Sequence, residues 1–410
     1  MSVSDLVEDD YDPFAAFDRA MGADEVRNPY AMFAAARAQG PMLPADLRQV
    51  MGLTRDEVPD GITAFTAVSY DAVTQVLRDG ETFSSSGYAA SMGVLFGHSI
   101  LEMDEPEHHR YRGLVQQAFT RKAMERWEAQ IVRPVVNGFI DGFADQSRAD
   151  LVRQLTFPFP VHVIARMLGL PDDDVDTFHG RAVAMSNAID WDHAVEASQW
   201  LHDYFATILE ERRRVPGDDI ISALAAAELD GQRLGDEDIF AFLRLLLPAG
   251  AETTYRSSSN LFFALLSKPN MLEAVRADRS LIAQAIEEGI RWEPPLTGIA
   301  RLCMREAEVC SVRIPAGAVI HVNLGSANHD EARWDNGDEY DLWRQPGQHM
   351  AFAFGPHMCL GMHLARMETA VALNALLDRL PNLRLDPEAD DVHITGLMFR
   401  APRSLPVVFD

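Results

Sequence analysis

Cys359 stands where a thiol can do chemistry. It follows a turn marked by Gly355 and Pro356 and precedes an apolar run (Leu360, Met362, Leu364, Ala365, Met367, then 370–377) long enough for a buried helix. A thiol at a helix N-terminus gains from the unpaired N–H groups of the first turn and from the positive end of the dipole, both of which favour thiolate. Such a group binds a metal, attacks an electrophile, or is simply a small core residue. Around it, Phe352 can shield the sulfur, His357 can donate a hydrogen bond to an anion, and Gly361 lets a flat object approach the backbone.

Three further groupings carry charge or hydroxyls in places that call for a reason. Ala249-Gly250-Ala251-Glu252-Thr253-Thr254 puts a carboxylate and two hydroxyls inside the most apolar stretch of the chain. Burial there is costly, so these groups need partners or a function; the plain alternative is a threonine bonded back to its own helix beside a snorkelling glutamate. His108 and Arg112, at i and i+4, share a helix face and repel each other unless an anion lies against them or the face is solvated. Glu288 and Arg291, at i and i+3, are close enough for a charge-assisted bond within one helix, a pairing that helices contain routinely.

The elements that must position these groups are mostly helical. Gly235-Asp236-Glu237-Asp238 opens a helix running to about Leu266, apolar nearly all round and therefore buried, with Pro248 bending or opening it midway. Trp191 to Arg214 reads as a long amphipathic helix, and shorter helices are expected near Pro29 to Ala38, Tyr70 to Leu77, after Pro106 and after Asp172 to Asp174. Strands are expected at Ile62 to Val68, Arg301 to Met304, Val309 to Ile314 and Ala318 to Leu324, with a closing hairpin near the C-terminus. Phe83 to Ser99, rich in Ser, Gly and Met, reads as a mobile loop that touches something apolar.

Composition narrows the function. A formal net charge of −26 argues against nucleic acid, whose phosphates it repels. Lys122 and Lys268 are the only lysines and neither follows glycine, which removes a phosphate loop; no G-x-S-x-G and no G-x-G-x-x-G occur. Cys303, Cys310 and Cys359 form no C-x-x-C pair, which removes zinc ribbons and iron–sulfur ligation. An acidic first segment, residues 1–25 being read as an irregular lead, and apolar runs too short for a span point to a cytoplasmic protein without membrane contact. No linker or repeat divides residues 1–410, so a single domain is expected.

The run Phe352-x-x-Gly355-x-His357-x-Cys359-x-Gly361 resembles the haem-binding signature of the cytochrome P-450 family. The resemblance extends over most of the chain, from about residue 60 to 408. It implies a mainly α fold with small β-sheets (α+β), with haem b (iron protoporphyrin IX) between the long central helix and the cysteine-bearing helix. On this resemblance Cys359 is the iron ligand; His108, Arg112 and Arg301 hold the haem propionates; and Phe352, His357, Gly361, Ala249 and Gly250 complete the cofactor site. Glu252 relays protons, Thr253 holds dioxygen and its water, and Glu288, Arg291 and Arg344 form a structural triad. Pro248 departs from the aliphatic residue usual there.

The activity implied is monooxygenation of a C–H bond in a hydrophobic small molecule by a monomer using dioxygen. Ferredoxin and an NAD(P)H-dependent ferredoxin reductase supply the electrons, since the chain carries no flavin fold or iron–sulfur cysteines of its own. Arg110, Arg121, Lys122, His363 and Arg366 are candidates for a docking patch. A peroxide-driven peroxygenase and a non-enzymatic haem sensor are the alternatives.

Overall fold

The apolar stretch after Gly235 folds as the helix Asp236–Leu247, one wide turn Pro248–Glu252 with i to i+5 hydrogen bonding, and the helix Thr253–Leu266. Asp236, Glu237 and Asp238 occupy the positive N-terminal turn, where the Asp238 carboxylate accepts from the Gly235 N–H at 2.9 Å. Pro248 has no N–H to continue the regular ladder, and the chain widens there instead of breaking. The computed structural model describes residues 26–46, 63–186 and 191–410; the lead expected over residues 1–25 lies outside them.

The expectation of a helix apolar all round fails beyond the wide turn. Thr254, Arg256, Ser257, Ser258, Ser259 and Asn260 are all buried. Most of their polar atoms are matched, as burial requires, Asn260 Oδ1 being the exception. Ser258 donates to the Thr254 carbonyl at 2.7 Å, Ser259 meets Thr156 at 2.7 Å, and Asn260 donates to the carbonyls of Glu293 and Arg400 at 3.1 and 3.0 Å. The sequence read as an oily rod is half rod and half polar seam.

Two members of that seam, Thr254 and Ser258, face the helix Met362–Arg379, which begins just past Cys359. Ser258 and Thr369 hydroxyls lie 3.2 Å apart, and Thr254 hydrogen-bonds the buried carboxyl of Glu368. The cysteine helix and the central helix are thus registered through hydroxyls, whose directional bonds fix one side-chain alignment. Trp191–Arg214 is a single helix with the bounds the sequence suggested. Around these helices one hydrophobic cluster runs from Leu95 to Phe409.

The sheets are small. A five-stranded sheet takes the order Met42–Leu43, Ala64–Ala67, Val319–Asn323, Gly298–Cys303, Phe83–Ser84, with only Val319–Asn323 and Ala64–Ala67 parallel. A second sheet joins Arg384–Leu385, Pro406–Val408 and Arg148–Asp150, and the C-terminal hairpin pairs Ile394–Thr395 with Ala401–Pro402. The fold class is mainly α with small β-sheets, as the sequence implied.

Two local expectations change. Val309 to Ile314 is not one strand but a hairpin, Ala307–Val309 against Val312–Ile314, because Cys310 and Ser311 both take left-handed dihedrals, φ 47° and 67°. The loop expected over Phe83 to Ser99 carries two short helical pieces, Ser86–Ala90 and Met92–Phe96, with Leu95 and Phe96 buried. Arg244 of the central helix pins it, donating to the Leu95 carbonyl at 3.4 Å and to Ser198 at 3.0 Å.

Candidate active site

The loop carrying Cys359 is fixed along its length. The Cys359 N–H donates to the Phe352 carbonyl at 2.9 Å and the Met358 N–H to the Gly355 carbonyl at 3.1 Å. Gly355 has φ +75°, and a Cβ there would stand 2.3 Å from the Leu77 carbonyl oxygen, so only glycine fits. The Phe352 ring lies 4.4 Å from the Arg366 guanidinium, which in turn donates to both oxygens of Glu287 at 2.5 and 2.9 Å. Burial raises the Glu287 carboxyl, but bonds from His349 and Arg366 outweigh it and bring it down to about 2. Arg366 is therefore a brace under the cysteine loop and not a free docking charge.

The Cys359 side chain has accessible surface, yet protein atoms crowd it on most sides. Burial pushes its thiol up, against the N–H groups of Gly361 and Met362 and the charges of Arg112 and Arg366, which pull it down. The N–H groups at the helix start do favour thiolate as expected, since Gly361 and Met362 both donate toward the sulfur, but desolvation opposes them. A cation coordinated by the sulfur would favour the thiolate further. Space for a flat group exists at Gly361, where no heavy atom lies within 4 Å of where a Cβ would stand.

Beside the loop converge four nitrogen-bearing side chains. The His108 and His357 rings lie 4.1 Å apart, His357 Nε2 is 3.2 Å from Ser85 Oγ, and Arg112 donates to the Met358 carbonyl at 2.6 Å. Arg301, buried, donates to the Ala300 carbonyl at 2.7 Å. His108 has Nδ1 3.2 Å from Glu105, while its buried Nε2 has no partner. Neither Arg112 nor Arg301 makes an ion pair among the described residues. Burial, then the neighbouring His108, Arg301 and Arg112, bring His357 down to about 3, and burial lowers His108 too. The repulsion expected between His108 and Arg112 is thus relieved by keeping the imidazole neutral. What remains is an electropositive corner with one unpartnered imidazole nitrogen; a carboxylate arriving there would favour the doubly protonated imidazolium, in which His108 Nε2 also donates.

On the central helix, Ala249 is exposed although its neighbours are not. At Gly250 a Cβ would stand 2.8 Å from Ile164 Cδ1, so its missing side chain leaves room for the neighbouring helix Pro158–Met167. Thr253 donates to the Ala249 carbonyl at 2.8 Å. A hydroxyl has one proton, so Thr253 offers lone pairs to anything else it meets. Glu252 is buried and paired with Arg256 at 3.2 Å.

Behind the loop, Glu288 accepts two bonds from Arg291 at 2.8 Å, one from Arg344 at 2.9 Å and one from the Asp341 N–H at 3.0 Å. Arg291 also donates to the carbonyls of Asn328, Gly337 and Glu339. The group ties the segment before the cysteine loop to the helix Ile282–Trp292. Sequence reasoning missed Arg244, Arg256 and Glu368. Only Arg256 left a signal, its i+4 spacing from Glu252.

Among the described residues no cluster of three or more His, Cys, Asp or Glu could hold a metal, so a metal bound at Cys359 would have to bring its other ligands with it. A porphyrin with two carboxylates brings both the remaining ligands and the anions, and these residues fit it. No helix among the described residues is long and apolar enough to cross a membrane.

Comparison with known proteins points the same way. The sequence model described as Cytochrome P450 matches residues 175–401. The chain is 33% identical over 402 residues to the cytochrome P450 monooxygenase PikC of Streptomyces venezuelae, covering 95% of this chain and 92% of that protein. It is 34% identical over 386 residues to nocardicin C N-oxygenase of Nocardia uniformis subsp. tsuyamanensis, covering 89% and 94%. The crystal structure of CYP109E1 from Bacillus megaterium in complex with testosterone superposes with a TM-score of 0.83 at 30% identity, over 93% of this chain and 99% of that one.

Proposed function

Since the chain belongs to the cytochrome P450 family and is a haem b-binding monooxygenase, we propose that Cys359 is its iron ligand and that His108, Arg112 and Arg301 receive the propionates. Haem, when bound, supplies dioxygen activation and C–H oxidation, and the protein supplies orientation, protons and exclusion of water. The observation that carries this reading is the corner beside Cys359, where, among the described residues, His108 Nε2 is buried without a partner and neither Arg112 nor Arg301 makes an ion pair.

Each chain residue then has a task. Arg112 reaches both the corner and the Met358 carbonyl next to the ligand, so it couples propionate binding to the cysteine loop. Glu252 takes protons from solvent and passes them inward. Thr253, its own proton committed to Ala249, accepts a hydrogen bond from the water being delivered. Glu288, Arg291 and Arg344 hold the loop and take no part in chemistry. One domain over residues 1–410 carries all of this.

The substrate is a hydrophobic small molecule. Support comes from apolar candidate lining segments, Leu246–Ala249, Leu296–Ile299 and Leu397–Phe399, the last two brought together by Thr297, which donates to the Leu397 carbonyl at 2.6 Å. The steroid named in the CYP109E1 complex agrees. A ferredoxin and its NAD(P)H-dependent reductase supply electrons, docking against exposed Arg110, Arg121, Lys122 and His363. The test is the reduced carbon-monoxide difference spectrum of the purified protein. A strongly red-shifted Soret band that vanishes in Cys359→Ser is expected; a haem spectrum unchanged in that variant overturns the assignment.

A further inference from the structure

Glu252 is held from within its own helix. Arg256, one turn on, directs Nε and one terminal nitrogen at the same carboxylate oxygen, Oε2, at 3.3 and 3.2 Å, and both residues are buried. The guanidinium is itself clamped: its centre lies 4.7 Å from the Tyr255 ring and 5.6 Å from the Phe399 ring. Phe399 belongs to the tip of the C-terminal hairpin and bridges to Leu296, so Arg256 touches the proton-handling residue on one side and a substrate-lining segment on the other.

We infer that Arg256 is a positioning residue for proton delivery: it fixes the Glu252 carboxylate at the end of the wide turn Pro248–Glu252 and ties its position to the hairpin tip. This rests on Glu252 being the relay. A planar guanidinium suits the task because it can fork onto one oxygen and stack on rings at once, which an ammonium cannot. Both bonds from Arg256 run to Oε2, so protonation at the other oxygen would leave these two bonds in place. Without Arg256 the buried carboxylate loses both of these charge-assisted bonds and the aim they give it.

The test uses haem-loaded protein with Glu252→Gln, Arg256→Gln, Arg256→Lys and the double variant Glu252→Gln/Arg256→Gln. The first measurement is urea unfolding as a double-mutant cycle. Each Gln single is expected to raise the unfolding constant by at least about a hundredfold, and the double by far less than the product, because removing both partners leaves no orphan charge. The second is the share of consumed oxygen released as hydrogen peroxide, with a surrogate ferredoxin, its reductase and nicotinamide cofactor. Glu252→Gln and Arg256→Gln are expected to raise that share at least twofold, with Arg256→Lys between parent and Arg256→Gln. If Glu252→Gln leaves the share unchanged, the relay reading falls and this inference with it. If Glu252→Gln raises it and Arg256→Gln does not, or if the unfolding effects simply multiply, the inference alone falls.

Discussion

Glu368 gives the sharpest test of the packing between the central helix and the cysteine helix. Its carboxyl is buried, Oε1 has no hydrogen-bond partner, and burial, only partly offset by the Thr254 hydroxyl, pushes it up to about 8. Between its ordinary value of 4.5 and about 8, the folded protein keeps the proton and the unfolded chain does not. The native state then binds more protons than the unfolded one, so stability falls as pH rises across that window. At about 1.4 kcal/mol per pH unit, the span from pH 5 to 8 costs roughly 3–4 kcal/mol. Glu368→Gln keeps the shape and removes the titration. Urea unfolding of parent and variant at several pH values, followed by haem absorbance and ellipticity together, reads the difference only where the two probes coincide. Parent stability relative to the variant should drop by roughly 3–4 kcal/mol between pH 5 and 8. A difference that stays flat across that range refutes both the raised carboxyl and the dry contact at Thr254.

Three other outcomes are expected. Glu288→Gln leaves Arg291 and Arg344 facing each other without an anion and should cost about 3–5 kcal/mol by urea unfolding; a loss no larger than that of the exposed Glu125→Gln would contradict the triad. Thr253→Ala removes the acceptor beside Ala249 and should cut product formed per electron on the order of tenfold while peroxide rises; full product yield with no peroxide would count against it. Reversing Arg121 and Lys122 to Glu should slow reduction by ferredoxin about tenfold at low salt and leave dithionite reduction unchanged; equal slowing by both reductants would mean the fold, and not docking, had been disturbed.

The features legible in the sequence are those specified by neighbours in the chain. The acidic start at Asp236 to Asp238, the stop after Leu266 and the whole of Trp191–Arg214 follow from local caps and helical periodicity. The pair Glu288 and Arg291 was visible because three residues separate them on one helix. What stayed hidden depends on partners distant in the chain. The role of Gly250 is set by Ile164 and that of Thr254 by Glu368. The break inside Val309 to Ile314 escaped because Cys310 and Ser311 adopt left-handed dihedrals that neither residue type advertises.

Arg366 shows what such a hidden partner does to a functional argument. From the sequence it is one more cation near the cysteine and a natural member of a docking patch. In the fold its guanidinium is bonded to Glu287 through two nitrogens and covers the Phe352 ring. Reversing its charge would put a carboxylate against Glu287 and uncover the ring that underlies the ligand loop, so any loss of electron transfer would report a displaced cysteine. Arg121, by contrast, is almost fully exposed, and its one ion pair among the described residues is to Glu125 a turn away, where such a contact is worth about 0.3–0.5 kcal/mol. Docking must therefore be tested at Arg121 and Lys122, and a variant at Arg366 belongs with those that probe how the cysteine is held.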